Sequence, residues 1–241
     1  MKLLRLVNSK KGRAFAASLP VLALTAWQCW LAYRDPNGCI VEDAGSLACG
    51  ALFSAVLAVL GITLSLRFMR MSWRRFIFGD SASVMADIKA GVKHGTLALF
   101  AVVGFAVVQS LLLEALGVEC TQQQIIEMLN SQRSTTGLKV LLALDGVLLA
   151  PVIEEMLFRG VLLRCWSDMS RHFAWPLIFS ALYFSLMHLH APSFLPLAFL
   201  ALCLGLAWRE KRSLIAPMVM HALFNAFSLV MYIAGIVLGI E

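Results

Sequence analysis

Residues 138–165 read LKVLLALDGVLLAPVIEEMLFRGVLLRC. The stretch is apolar for long enough to cross a bilayer, because a helix rising ~1.5 Å per residue needs ~20 residues to span a ~30 Å hydrocarbon core. It nevertheless carries two adjacent carboxylates, Glu154 and Glu155, followed by Arg159. An ionisable group near the centre of a span costs of order 2.5 kcal/mol or more, so it persists only where it is paired or lines a wet cavity. The segment therefore predicts both a transmembrane helix and a functional site upon it.

Working outward, six further apolar runs lie at 14–33, 46–66, 91–113, 175–190, 194–208 and 214–240. The expected fold is an all-α polytopic bundle of about seven spans, with the site between the last four helices. Of the 241 residues, 60% are hydrophobic and only 14% charged, where a soluble domain would carry nearer a quarter charged. No polar stretch is long enough for a soluble domain. The chain reads as one integrated membrane domain, with three spans in 1–137 and a four-span catalytic core in 138–241. There are no internal repeats and no low-complexity segments.

Charge fixes an orientation. Seventeen of the 20 Lys and Arg fall in 1–13, 67–93, 159–171 and 209–212, leaving Arg34, Arg133 and Lys139 on the other side. Basic residues gather in cytoplasmic loops, so the expectation is N-inside and C-outside in a multi-pass protein of the plasma membrane. The opposite loops are acidic, with Asp35, Glu42 and Asp43 in one and Glu114, Glu119 and Glu127 in the other. The basic start before the first run resembles a signal peptide, but the run has no small-x-small cleavage site and reads as a retained span. The net charge of +6 belongs to this topology. Nucleic acid is not an expected partner, since no basic stretch is interleaved with stacking aromatics.

The six cysteines contain no C-x-x-C pair, which removes a zinc ribbon or thioredoxin-like site. Cys39, Cys49 and Cys120 fall on the outer side, where either a disulfide or free thiols would fit. Residues 71–93, with Trp73, Arg74, Arg75 and Phe76, read as an interfacial helix on anionic lipid.

Helical spacing divides the polar residues by task. Neighbours on a helix point ~100° apart, so Glu154 and Glu155 face different surroundings. Glu155 and Arg159 are four apart with the acid first, the favoured order for a pair on one face. Glu154 has no cation in helical reach, which suits a general base or acid. Phe184-Ser-Leu-Met-His188 puts an imidazole one turn after an aromatic, and His221-Ala-Leu-Phe-Asn225 puts an imidazole and a carboxamide on one face. Each histidine alone would read as a helix-packing hydrogen bonder, and His190 as interfacial. Together they supply a base, two imidazoles and an amide donor, the parts that activate water against a carbonyl and hold the oxyanion.

The three motifs, E-E-x-x-x-R, F-x-x-x-H and H-x-x-x-N, in this order and within spans, resemble the CPBP (Abi) family, which groups type II CAAX prenyl proteases with bacteriocin-processing proteins. The resemblance covers roughly 138–227. It implies an intramembrane glutamic endopeptidase in which Glu154 activates water and His188 assists. His221 and Asn225 would form the oxyanion site, with Glu155 and Arg159 supporting the geometry. The implied partners are the lipid bilayer and a peptide or protein with a membrane-associated segment. The short chain suggests a bacterial inner-membrane member. No cofactor or metal is expected: H-E-x-x-H is absent, and one Glu with two His makes a sparse zinc site. Two other readings compete: a non-catalytic scaffold or immunity-type protein that keeps the cluster as a polar core, and a proton-coupled transporter using Glu154 and His188. The transporter reading lacks the paired, Gly/Pro-broken spans of inverted repeats.

Overall fold

The computed structural model describes residues 9–34, 44–117 and 135–238. Among these every regular element is a helix: α1 (Lys10–Arg34), α2 (Ala44–Met69), α3 (Trp73–Phe78), α4 (Val84–Ala115), α5 (Thr136–Met169), α6 (Ala174–Leu186), α7 (Phe194–Lys211) and α8 (Ile215–Leu238). A short 3₁₀ turn, Ala191–Ser193, leads into α7. Six helices are long and apolar enough to cross a membrane, and α6 is a shorter apolar helix. Large apolar side chains stand exposed around the bundle, among them Leu52, Phe53, Leu97, Phe100 and Phe179. In water such a surface would drive association; against lipid tails it is the solvated face.

Among the described residues the apolar runs read from the sequence lie on helices, with two differences from expectation. The run at 175–190 becomes α6 of only 13 residues, ~20 Å long. It stops because the chain turns at 187–188, Leu189 takes φ +49°, and Pro192 follows. His188 therefore sits in the turn beyond α6 and not within a span. The expected interfacial helix at 71–93 is a correction of the same kind. Only Trp73–Phe78 forms a separate helix. Gly79, at φ +55°, ends α3, and Ser83 caps a new helix by accepting from the Ala86 N–H. From there α4 runs unbroken for 32 residues through the expected third span.

The short α3 is clamped into one end of the bundle. Phe76 is fully buried and lies against Gly160 of α5, where an added Cβ would stand 2.4 Å from its Cζ. The Leu214 N–H donates to the Ile77 carbonyl at 2.8 Å, and the Asp80 N–H to the Lys211 carbonyl at 2.9 Å. Arg164 donates from Nε to the Gly160 carbonyl and from Nη2 to the carbonyls of Phe76 and Arg212. Helix ends buried in a membrane protein need such partners, because lipid supplies none.

The remaining pairing follows small residues. On α4, Gly91 and Gly95 let α8 approach closely: a Cβ at Gly91 would meet the Ala216 carbonyl oxygen at 2.8 Å. Helix α1 lies along α2 and against the last turn of α5, burying Ala14, Ala17 and Val21. It is part of the bundle. Gln109 of α4 joins both sides of the turn before α7: Nε2 donates to the Ala191 carbonyl, and Oε1 accepts from the Leu195 N–H at 2.8 Å. The predicted outer loops, with Cys39 and Cys120, lie outside the described residues, while Cys49 is a free thiol.

Candidate active site

Helix α5 carries the site and is not a regular α-helix. Two π-helical stretches, Asp145–Leu149 and Met156–Leu163, flank the α-helical turn Ala150–Glu155. Pro151 explains the first. It lacks an N–H for the carbonyl four residues back, and its ring crowds that carbonyl, so the preceding turn widens. The second π stretch is buried along its whole length. Glu154 and Glu155 close the α-helical turn between the two.

Glu155 is fully buried. Its Oε1 accepts from Arg159 Nη1 at 2.8 Å and from His221 Nδ1 at 2.9 Å. The i, i+4 pair read from the sequence thus forms, and α8 adds a second donor. Arg159 Nη2 donates to the Ala201 carbonyl of α7 at 3.2 Å. The guanidinium also rests over the Phe184 ring, 4.6 Å from its centroid. One arginine therefore ties α5, α6 and α7 together with its charge desolvated on every side.

Phe184 is the hub of this arrangement. It is fully buried, with its ring 4.8 Å from that of His188 and 5.6 Å from that of His221, the latter edge to face. Phe158 meets it edge-on at 5.0 Å. His188 Nδ1 donates to the Phe184 carbonyl at 2.8 Å, which leaves Nε2 directed away from the backbone. The first residue of F-x-x-x-H is thus a platform for an arginine and two imidazoles.

Glu154 is set apart from Glu155, as helical spacing requires. Its side chain is 29% exposed and lines a cleft of about 460 Å³, on whose wall His188 also stands. The cleft runs between α1, α2 and α5, with Thr25, Gln28, Ser54 and Asp145 among its polar lining. Neither Glu154 Oε2 nor Glu155 Oε2 has a hydrogen-bond partner, and His221 Nε2 stands 3.8 Å from Glu154 Oε2. His221 is buried and bridges the two carboxylates, one at each ring nitrogen.

Asn225 shares a face of α8 with His221 and also reaches α5, where Nδ2 donates to the Gly146 carbonyl at 2.7 Å. That carbonyl lies in the first π stretch. Neither His221 nor Asn225 lines the cleft. The structure therefore brings together Glu155, Arg159 and His221 in a buried cluster and Glu154 with His188 on the cleft. His190 hydrogen-bonds Ser193 and is not part of the cluster. Among the described residues no three His, Cys, Asp or Glu side chains stand close enough to share a metal ion. Sequence reading missed Asp145, although an aspartate in a span is itself a functional signal. It also missed Thr25 and Gln28, which no local pattern marks.

Residues 136–227 match the family model described as type II CAAX prenyl endopeptidase, Rce1-like. This part of the chain is Rce1-like. The match agrees with the resemblance carried by the three motifs and, at family level, supports a CAAX-type intramembrane protease. Every residue of the three motifs falls inside the matched segment. No curated protein and no solved structure matched the chain.

Proposed function

We propose that this Rce1-like chain is a glutamic endopeptidase that hydrolyses a peptide bond of a membrane-associated peptide or protein tail, with Glu154 as the base. The observation that carries the reading is the contrast between neighbours. Each glutamate keeps a buried Oε2 without a hydrogen-bond partner, but Glu155 is fully buried with its Oε1 held by Arg159 and His221, while Glu154 is part-exposed and lines a cleft shared with His188. A carboxylate in that position takes a proton from water as the oxygen attacks the scissile carbonyl. The backbone-bonded His188 presents its other nitrogen to the same water or to the leaving amine.

The oxyanion that forms needs a donor beside the base. His221 Nε2 lies on the Glu154 side, and Glu155 on Nδ1 balances the charge of the imidazolium that donates there. Asn225 holds α8 to Gly146 with one amide hydrogen and has a second for the oxyanion or for the substrate backbone. Arg159 and Glu155 fix His221 and do not touch substrate. The reading needs no metal. On the orientation given by the charge bias, 17 basic residues mark the cytoplasmic side, and the substrate is a peptide anchored in that membrane.

The test is substrate trapping with full-length Glu154→Gln in the native host, followed by mass spectrometry of peptides that accumulate uncleaved. An accumulated precursor that the wild-type protein cleaves in vesicles supports the proposal. Full biological activity from Glu154→Gln would refute it and favour a scaffold that keeps the cluster as a polar core.

A further inference from the structure

A second cavity, of about 440 Å³, opens at the end of the bundle where α3 is clamped and shares no residue with the catalytic cleft. Its cations come from four places in the chain. Lys10 and Arg13 stand at the start of α1, Arg75 on α3, Arg164 near the end of α5, and Arg212 between α7 and α8. Two carboxylates, Asp80 and Asp168, also line it, so three positive charges are in excess. Asp168 is engaged by Lys10 Nζ at 3.2 Å. Neither Arg75 nor Arg212 has a carboxylate within 4 Å among the described residues.

The cations are held in place by the fold. Arg164 is buried and its donors are fixed by three backbone carbonyls. Arg212 adopts φ +54° and lays its guanidinium 4.5 Å over the Trp208 ring. Gly79 faces the Arg212 backbone so closely that a Cβ would stand 2.3 Å from its carbonyl oxygen. Collecting cations in one concave site is costly unless an anion joins them. Exposed Trp73 beside them is the side chain expected at headgroup depth.

We infer that this cavity binds a phosphate-bearing anion, either the headgroup of an anionic phospholipid or a soluble phosphate. Arginines offer paired N–H donors that match phosphate oxygens, and a basic pocket between spans is the geometry that retains anionic headgroups. An anion there would tie α1, α3, α5 and the α7–α8 corner together at one point.

The experiment uses the full chain in a neutral detergent. Retention of phosphatidylglycerol against phosphatidylcholine is read by native mass spectrometry and by thermal unfolding. The wild-type protein should retain phosphatidylglycerol preferentially. Arg75→Gln should weaken that binding about fivefold, the value of one cation near a membrane surface. Arg75 is exposed, so the variant should fold; its elution as a single species checks this. Arg74→Gln removes the same charge from the same helix but not from this cavity, and should change binding less than about twofold. Equal retention of both lipids, with no response to inorganic phosphate, would overturn the site. An equal loss in Arg74→Gln and Arg75→Gln would also overturn it, leaving only diffuse surface attraction. Inorganic phosphate at matched ionic strength separates the two supporting outcomes. Displacement of the lipid at millimolar concentration assigns a soluble phosphate, and persistence of the lipid assigns the headgroup.

Discussion

Replacing Arg159 by Met tests the buried cluster directly. Arg159 is 1% exposed and Glu155 0%. The substitution removes the 2.8 Å bond to Glu155, the bond to the Ala201 carbonyl and the cation over Phe184, while a methionine fills much of the volume. Glu155 is then a buried carboxylate with His221 as its one remaining donor. Breaking a buried pair from one side costs about 3–5 kcal/mol. At roughly 2–4 °C per kcal/mol for a chain of this size, the midpoint should fall by about 6–20 °C. The companion is the double variant Glu155→Gln with Arg159→Met. Glutamine still accepts from His221 Nδ1, and no charge is left unpaired. Most of the loss should return, to within about 2 kcal/mol of the wild type, since the desolvation penalty of the carboxylate goes with its charge. The measurement is thermal unfolding in detergent at one scan rate, followed by tryptophan fluorescence and monodispersity. A single variant within about 1 kcal/mol of the wild type, or a double variant no more stable than the single, would refute the argued pairing.

Three other outcomes follow from contacts of the same kind. Gly160→Ala drives a Cβ to 2.4 Å from the Phe76 ring and should cost about 1–3 kcal/mol in the same melt; adding Phe76→Leu should recover part of it. Gln109→Leu leaves the Ala191 carbonyl and the Leu195 N–H without their partner, a loss of about 1–3 kcal/mol for each orphaned group. It should also raise hydrogen exchange in 191–195 above that of α7, which mass spectrometry resolves. Phe184→Leu keeps an apolar side chain but removes the platform under Arg159 and the edge contact to His221. It should lower stability by about 1–2 kcal/mol and lower the rate of peptide hydrolysis, because both imidazoles lose the face that orients them.

The parts of this molecule that were legible in the sequence depend on local geometry. A span needs only length and apolarity, and so the seven runs emerge as helices. The pairing of Glu155 with Arg159 needs only a spacing of four, and it persists although the backbone between them is partly π-helical. What was hidden depends on contacts between distant segments. Nothing near Phe76 says that it enters the groove beside Gly160, so 71–93 read as a helix lying on lipid. His188 looked helical because residues 175–190 are apolar, yet Leu189 and Pro192 turn the chain just there. The reach of Asn225 to Gly146 depends on a widened turn that Pro151 causes in a different helix.

The same geometry explains why two adjacent glutamates are not redundant. In a low-dielectric interior a carboxylate must be compensated or it gives up its charge. Glu155 is compensated by an arginine and an imidazole at Oε1, and in the proposed mechanism it positions His221 and does not touch substrate. Glu154, about 100° round the helix, meets no donor from its own helix and opens onto the cleft. The imidazole of His221 joins the two, with Nδ1 on Glu155 and Nε2 facing Glu154 across 3.8 Å. A change at Glu155 therefore reaches Glu154 through one ring. In the proposed mechanism Glu155→Gln should alter the pH profile of hydrolysis while leaving Glu154 in place, whereas Glu154→Gln should abolish hydrolysis at every pH. If both variants instead lost activity with the same residual pH profile, the two carboxylates would be acting as one unit and the division of tasks between them would be wrong.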